Sequence, residues 1–95
     1  MKNANWDKEK NLHLIKERGI SFEEIVEDIK KGHILDRVDH PNQTKYPDQQ
    51  VYIIIHKNYC YMVPFVESET GFFLKTIIPS RKKTKEYLKK GGQNE

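Results

Sequence analysis

The chain has 95 residues, 36% hydrophobic and 33% charged, with a formal net charge of +3. This length fits one domain with a small core under many charges, and five Tyr, four Phe and one Trp argue against intrinsic disorder. No run approaches the roughly 18 apolar residues of a membrane span, and a single cysteine, Cys60, excludes an internal disulfide framework.

The N-terminal stretch MKNANWDKEKN carries no apolar h-region, so no secretory signal is read and a cytoplasmic location is expected. Residues 6–18 read as a helix anchored by Trp6, with Leu12, Leu14 and Ile15 as its apolar stripe. Gly19 suits the position just past a helix end. Ser21 and Glu24 then form a capping box, and Ile20 with Ile25 has the spacing of a hydrophobic staple. Phe22, Ile25, Val26 and Ile29 share one face of this second helix, which Gly32 ends. Glu23, Glu24, Glu27 and Asp28 read as its solvated face.

Residues 33–38 suggest a short edge strand, and the polar, proline-containing residues 39–50 a loop. Residues 51–57 and 59–67 are strands around a tight turn at Asn58. Pro64 cannot donate to a ladder, so it belongs at a bulge or on an edge side. Residues 72–78 are the last strand, and a helix from Ser80 to about Lys90 closes the domain through Thr84, Tyr87 and Leu88. Residues 91–95 read as a flexible tail. The fold class expected is α+β in one domain over 1–95. Two N-terminal helices pack on a small, mostly antiparallel sheet of three to four strands, with a C-terminal helix and one sheet face partly open.

Alternation puts Tyr52, Ile54 and His56 on one face, and Phe73, Lys75 and Ile77 on another. Lys75, the one charge within its strand, marks the face expected to be open. His13, His33, His40 and His56 have no metal-ligand spacing, and no phosphate-binding glycine loop or nucleophile elbow is present. No metal and no cofactor are expected. From Lys75 to Lys90 there are seven Lys or Arg and one acid, Glu86, which points to a polyanionic partner. Tyr46, Tyr52, Tyr59 and Tyr61 are candidates to stack on bases. Arg81, Lys82 and Lys83 follow Ser80 at the positive end of a helix, where cations are unfavourable until an anion arrives.

Trp6, Asp7 and Lys10 followed by Gly19–Glu24 resemble the opening of BrnT-type toxins of bacterial type II toxin–antitoxin systems. Ile77, Ile78, Arg81, Lys82 and Thr84 are similar to that family's closing segment, and VPFVE to its third strand. The resemblance, to this or a close sister family, implies a RelE/ParE-like fold and metal-independent endoribonuclease activity on mRNA, at the ribosome in related toxins. It also implies growth inhibition and a co-encoded DNA-binding antitoxin, with a dimer or a heterotetramer as the assembly.

For attack of a 2′-hydroxyl on the adjacent phosphate, the candidate catalytic residues are Arg81 and Lys75 as an electrostatic clamp and His56 or His40 as base or acid. Lys82, Lys83, Lys85, Lys45 and Tyr46 are the candidate RNA contacts. The alternatives are a nucleic-acid-binding module without catalysis, and an interaction protein with a small DNA-binding partner.

Overall fold

The computed structural model describes residues 3–89. Strand β1 (Asn3–Trp6) leads into helix α1 (Lys8–Arg18) and helix α2 (Phe22–Lys30). Strands β2 (Ile34–Asp39), β3 (Gln50–His56), β4 (Tyr59–Glu67) and β5 (Gly71–Leu74) follow, then the short β6 (Ile78–Pro79). Helix α3 (Arg81–Thr84) widens into a π-helical turn, Lys85–Lys89. The sheet order is β1-β5-β4-β3-β2, with β6 also on β4.

The helical corner forms as its local chemistry dictates. Asp7 caps α1 by accepting from the amides of Glu9 and Lys10. Gly19 ends it at φ 68°, in the left-handed region that glycine enters without steric cost. Both halves of the Ser21–Glu24 capping box are present on α2. Asn11, buried on α1, joins the helices. It accepts from the Phe22 amide at 2.7 Å and donates to Glu23 at 2.7 Å. Leu14 is the buried member of the expected α1 stripe, whereas Leu12 and Ile15 are exposed.

Leu14, Ile20, Phe22 and Ile25 pack on the sheet face that carries Tyr52, Ile54, Val63 and Phe65. Tyr52 stacks on Phe65 at 4.1 Å and is buried, so its ring is spent on the core and is not a base platform.

The sheet is mixed and six-stranded, larger than the expected three to four mostly antiparallel strands. The addition at one edge is β1, which pairs parallel to β5 from Asn3↔Gly71 to Trp6↔Leu74. Its sequence, NANW, carries no strand signal of its own, and Trp6 ends this strand rather than starting a helix. The strand is held by partners far along the chain and by the Trp6 ring on Phe22 at 5.7 Å. The expected strand over 72–78 is broken into β5 and β6. Pro64 faces the break: its carbonyl accepts from the Lys75 amide, and its missing N–H falls where an unbroken neighbour would need a donor. Ile77 consequently turns into the helix-side core, off the face of Phe73 and Lys75.

The second face is not open at its centre. Val51, Ile53 and Cys60 are buried there. Thr84 Oγ1 accepts from the Cys60 amide at 2.9 Å, and the Tyr87 hydroxyl reaches Asp36 on β2 at 3.1 Å. The C-terminal segment therefore crosses this face from β4 to β2. The region of Phe73, Lys75 and Ile78 stays exposed, as do Asp36 and Val38 on β2. The expected closing helix is correct in position, but its α-helical part is a single turn; Lys90 and the tail at 91–95 lie outside the described residues.

Candidate functional site

The β3–β4 hairpin ends in a turn with Lys57 at φ 51° and Asn58 at φ 64°, the pair of left-handed residues that a two-residue hairpin turn demands. This turn places His56 opposite Tyr59 and Ile54 opposite Tyr61, all on the helix-side face. Above them runs the inner edge of α2. Asp28 lies three residues after Ile25, so it faces inward and is buried, contrary to the expectation of a solvated acid.

Asp28 holds two imidazoles. Its Oδ2 is 2.6 Å from His56 Nδ1 and its Oδ1 is 2.9 Å from His33 Nδ1. An ionised carboxylate only accepts, so both Nδ1 atoms carry the hydrogen. In the neutral His56 ring the lone pair is then on Nε2, the atom a general base needs. Glu24 Oε1 is occupied by the capping box, and its Oε2 lies 3.6 Å from His56 Nε2. The Tyr61 ring packs edge-on against His56 at 6.0 Å, and Tyr59 against Tyr61 at 5.7 Å. Burial, followed by the charges of Tyr59 and Glu24, raises the Tyr61 hydroxyl above the ordinary phenol value, so it stays a donor.

Tyr59 also lines a groove of about 440 Å³ with Asn58, Arg81, Thr84 and Lys85. The backbone under Arg81 is pinned. The Ser80 amide donates to Cys60 O at 3.0 Å, the Lys83 amide to Ser80 Oγ at 3.1 Å, and Thr84 Oγ1 to Ser80 O at 2.7 Å. The cluster of cations at the helix start resolves into three different environments. Arg81 enters the groove, Lys83 pairs with Glu86 at 3.2 Å, and Lys82 is exposed. A helix of one α-turn also sums few peptide dipoles, so the cost of cations there is small.

The remaining candidates gather elsewhere. His40, Tyr46, Gln49, Pro64, Lys75 and Ile78 line a second groove, about 410 Å³ in volume. The His40 and Tyr46 rings lie 4.5 Å apart, and Lys45 Nζ is 5.4 Å from the centre of the Tyr46 ring. The Asn42 amide donates to His40 Nδ1 at 3.0 Å. The neutral His40 ring therefore carries its hydrogen on Nε2, where it is a donor and not a base. Lys75 lies over Phe73 at 5.0 Å.

The four candidate catalytic residues thus divide into two pairs. Arg81 lines the hairpin-end groove with Tyr59, whose register partner His56 lies outside that groove on the helix-side face; Lys75 and His40 line the second groove. The Lys75 amide binds β4 at Pro64 and the Ser80 amide binds it at Cys60, which separates the two places by about 13 Å along the strand. The expected clamp of Arg81 with Lys75 in one groove is not assembled. Sequence reasoning missed Asp28 and Glu24 as partners of His56, and His33 as the second imidazole on Asp28, although the three-residue step from Ile25 to Asp28 was a usable signal. Among the described residues no three His, Cys, Asp or Glu could hold a metal ion together, and no helix is long and apolar enough to cross a membrane. Comparisons with protein families, with curated proteins and with solved structures give no match, so the functional reading rests on these side chains.

Proposed function

We propose that the protein is a metal-independent endoribonuclease of the toxin type, acting on single-stranded RNA at the hairpin end of the sheet. The observation that carries this reading is the Arg81–Lys85–Tyr59 groove, whose Tyr59 pairs across the hairpin with His56, an imidazole held by the buried Asp28. In the mechanism, His56 Nε2 takes the proton from a 2′-hydroxyl as that oxygen bonds to the adjacent phosphorus. Arg81 and Lys85 balance the charge of the phosphorane. The bond to the 5′-oxygen breaks, and the Tyr59 hydroxyl supplies its proton, to be restored from His56 through solvent. The products are a 2′,3′-cyclic phosphate and a 5′-hydroxyl. The likeness of Trp6–Glu24 and Ile77–Thr84 to BrnT-type toxins supports the same reading. With it come a cytoplasmic site of action, translation arrest and a DNA-binding antitoxin as partner.

The test is expression of the gene alone and with its neighbouring reading frame, while growth and RNA integrity are followed. Purified protein is assayed in parallel on RNA and on translating ribosomes with EDTA present. Cleavage to cyclic-phosphate ends is expected, and Arg81→Ala should slow it by about 10²–10³-fold with unchanged melting. Intact RNA in every arm, or an Arg81→Ala protein as toxic as the wild type, overturns the reading.

One observation favours a second reading, RNA binding without cleavage: the His56 side chain is only 12% exposed. In that case RNA is retained uncut, with an affinity that falls steeply with salt.

A further inference from the structure

We infer that the groove between the 40–49 loop and the broken sheet edge is a second nucleotide subsite, which holds an RNA residue flanking the bond cut at Arg81. The inference rests on the ribonuclease reading and adds the path of the substrate strand.

The groove offers what one nucleotide needs. The paired rings of His40 and Tyr46 present an aromatic wall on which a base stacks. Lys75 supplies a cation for its phosphate, and His40 Nε2–H a further donor. None of the residues lining this groove or the Arg81 groove is acidic, so neither repels a polyanion directly. The face of Lys75, unlike the centre of the sheet, is left uncovered by the C-terminal segment.

The wall is also built before any ligand arrives. His40 N donates to Gln49 O at 3.1 Å, Tyr46 N to Asn42 O at 2.9 Å, and Lys45 N to Asn42 Oδ1 at 3.0 Å. The Gln43 side chain closes on His40 O at 2.7 Å. A loop that already satisfies its own backbone loses little entropy on binding. This accounts for a polar segment of such length that is ordered yet contributes few side chains to the core.

The two grooves are joined by the chain itself. Residues 75–80 run along β4 from one to the other, held at Pro64, Met62, Tyr61 and Cys60, with the exposed Ile78 at the rim of the second groove. A strand of RNA laid on β6 meets Lys75 at one end and Arg81 at the other, about 13 Å apart by strand geometry.

The test measures binding of fully 2′-O-methylated single-stranded RNA, which has no nucleophilic hydroxyl and cannot be cut. A dinucleotide is compared with an oligomer of about eight residues by fluorescence anisotropy, the length being chosen to span the distance between grooves. Tyr46→Ala should weaken the longer RNA by roughly 5- to 150-fold and leave the dinucleotide within about twofold, while Tyr46→Phe retains wild-type affinity. Lys75→Ala should lower the salt slope for the longer RNA by about 0.7. Melting curves confirm that each variant is folded. If the wild type binds neither RNA, the ribonuclease reading itself fails. If it prefers the longer RNA and the variants match it, the subsite alone is overturned. An oligoglutamate peptide that binds as tightly as the longer RNA and loses affinity equally in Tyr46→Ala also overturns it.

Discussion

Asp28→Asn isolates the carboxylate on which the candidate site is built. The side chain receives two imidazole N–H groups, at 2.6 and 2.9 Å. An amide of the same shape has one oxygen and one NH2, so only one ring keeps its acceptor while the other faces a donor. A hydrogen bond to a charged group contributes about 1.5–3 kcal/mol. Taking about 2 kcal/mol, and 4–8 °C per kcal/mol for a domain of this size, the melting temperature should fall by about 8–16 °C. His33 is 45% exposed and His56 only 12%, so the retained oxygen should stay with His56. His33→Ala alone should then cost less than about 1 kcal/mol, because water replaces the partner of an exposed ring. In the double variant the amide penalty should shrink by more than about 1 kcal/mol, the coupling expected of groups in one network. Thermal melting gives the energies, and nitrogen chemical shifts of the two imidazoles give their tautomers. An Asp28→Asn protein that melts within about 2 °C of the wild type, with both sets of shifts unmoved, would refute the claim that this carboxylate orients His56.

Other parts of the molecule give equally direct expectations. A Cβ at Gly71 would lie 2.2 Å from the backbone oxygen of Asn3, so Gly71→Ala should push β1 off β5, cost about 1–3 kcal/mol and expose Trp6, which a red shift of its fluorescence would report. Glu23 is held below its ordinary value of 4.5 chiefly by the Asn11 bond, then by its own backbone amide. Its contribution to stability is therefore complete above that value and is lost as pH falls through the lower folded value. Glu23→Gln should accordingly lower the melting temperature at neutral pH by an amount that shrinks below pH 4.5, and a pH-independent difference would contradict this. Burial raises the Cys60 thiol, only partly offset by its bond with Thr84. A thiol reagent should therefore modify it at the rate of unfolding, and rapid labelling of the native protein would argue against a closed second face.

The opening fifty residues show how local and distant information divide. The Ser21–Glu24 box, the Gly19 stop and the apolar step through Phe22, Ile25 and Ile29 all describe bonds closed within a few residues, and each is readable in order along the chain. The same holds for the Asn58 turn and the two strands it joins. NANW has no such local signature. It becomes a strand because Gly71 leaves room for it, and that fact lies at the other end of the chain.

The candidate site divides in the same way. The types of residue, Arg81, His56, His40 and Lys75, could be chosen from charge and imidazole chemistry alone. Their grouping could not, because it follows from the break between β5 and β6 opposite Pro64 and from α2 setting Asp28 over His56. Sequence by itself determined the helices, the hairpin and the cationic C-terminal run, since these depend on neighbours a turn or a pleat away. Only tertiary structure decided which histidines Asp28 holds and which cations share a groove. Those outcomes depend on hydrogen bonds between residues tens of positions apart, which no local periodicity encodes.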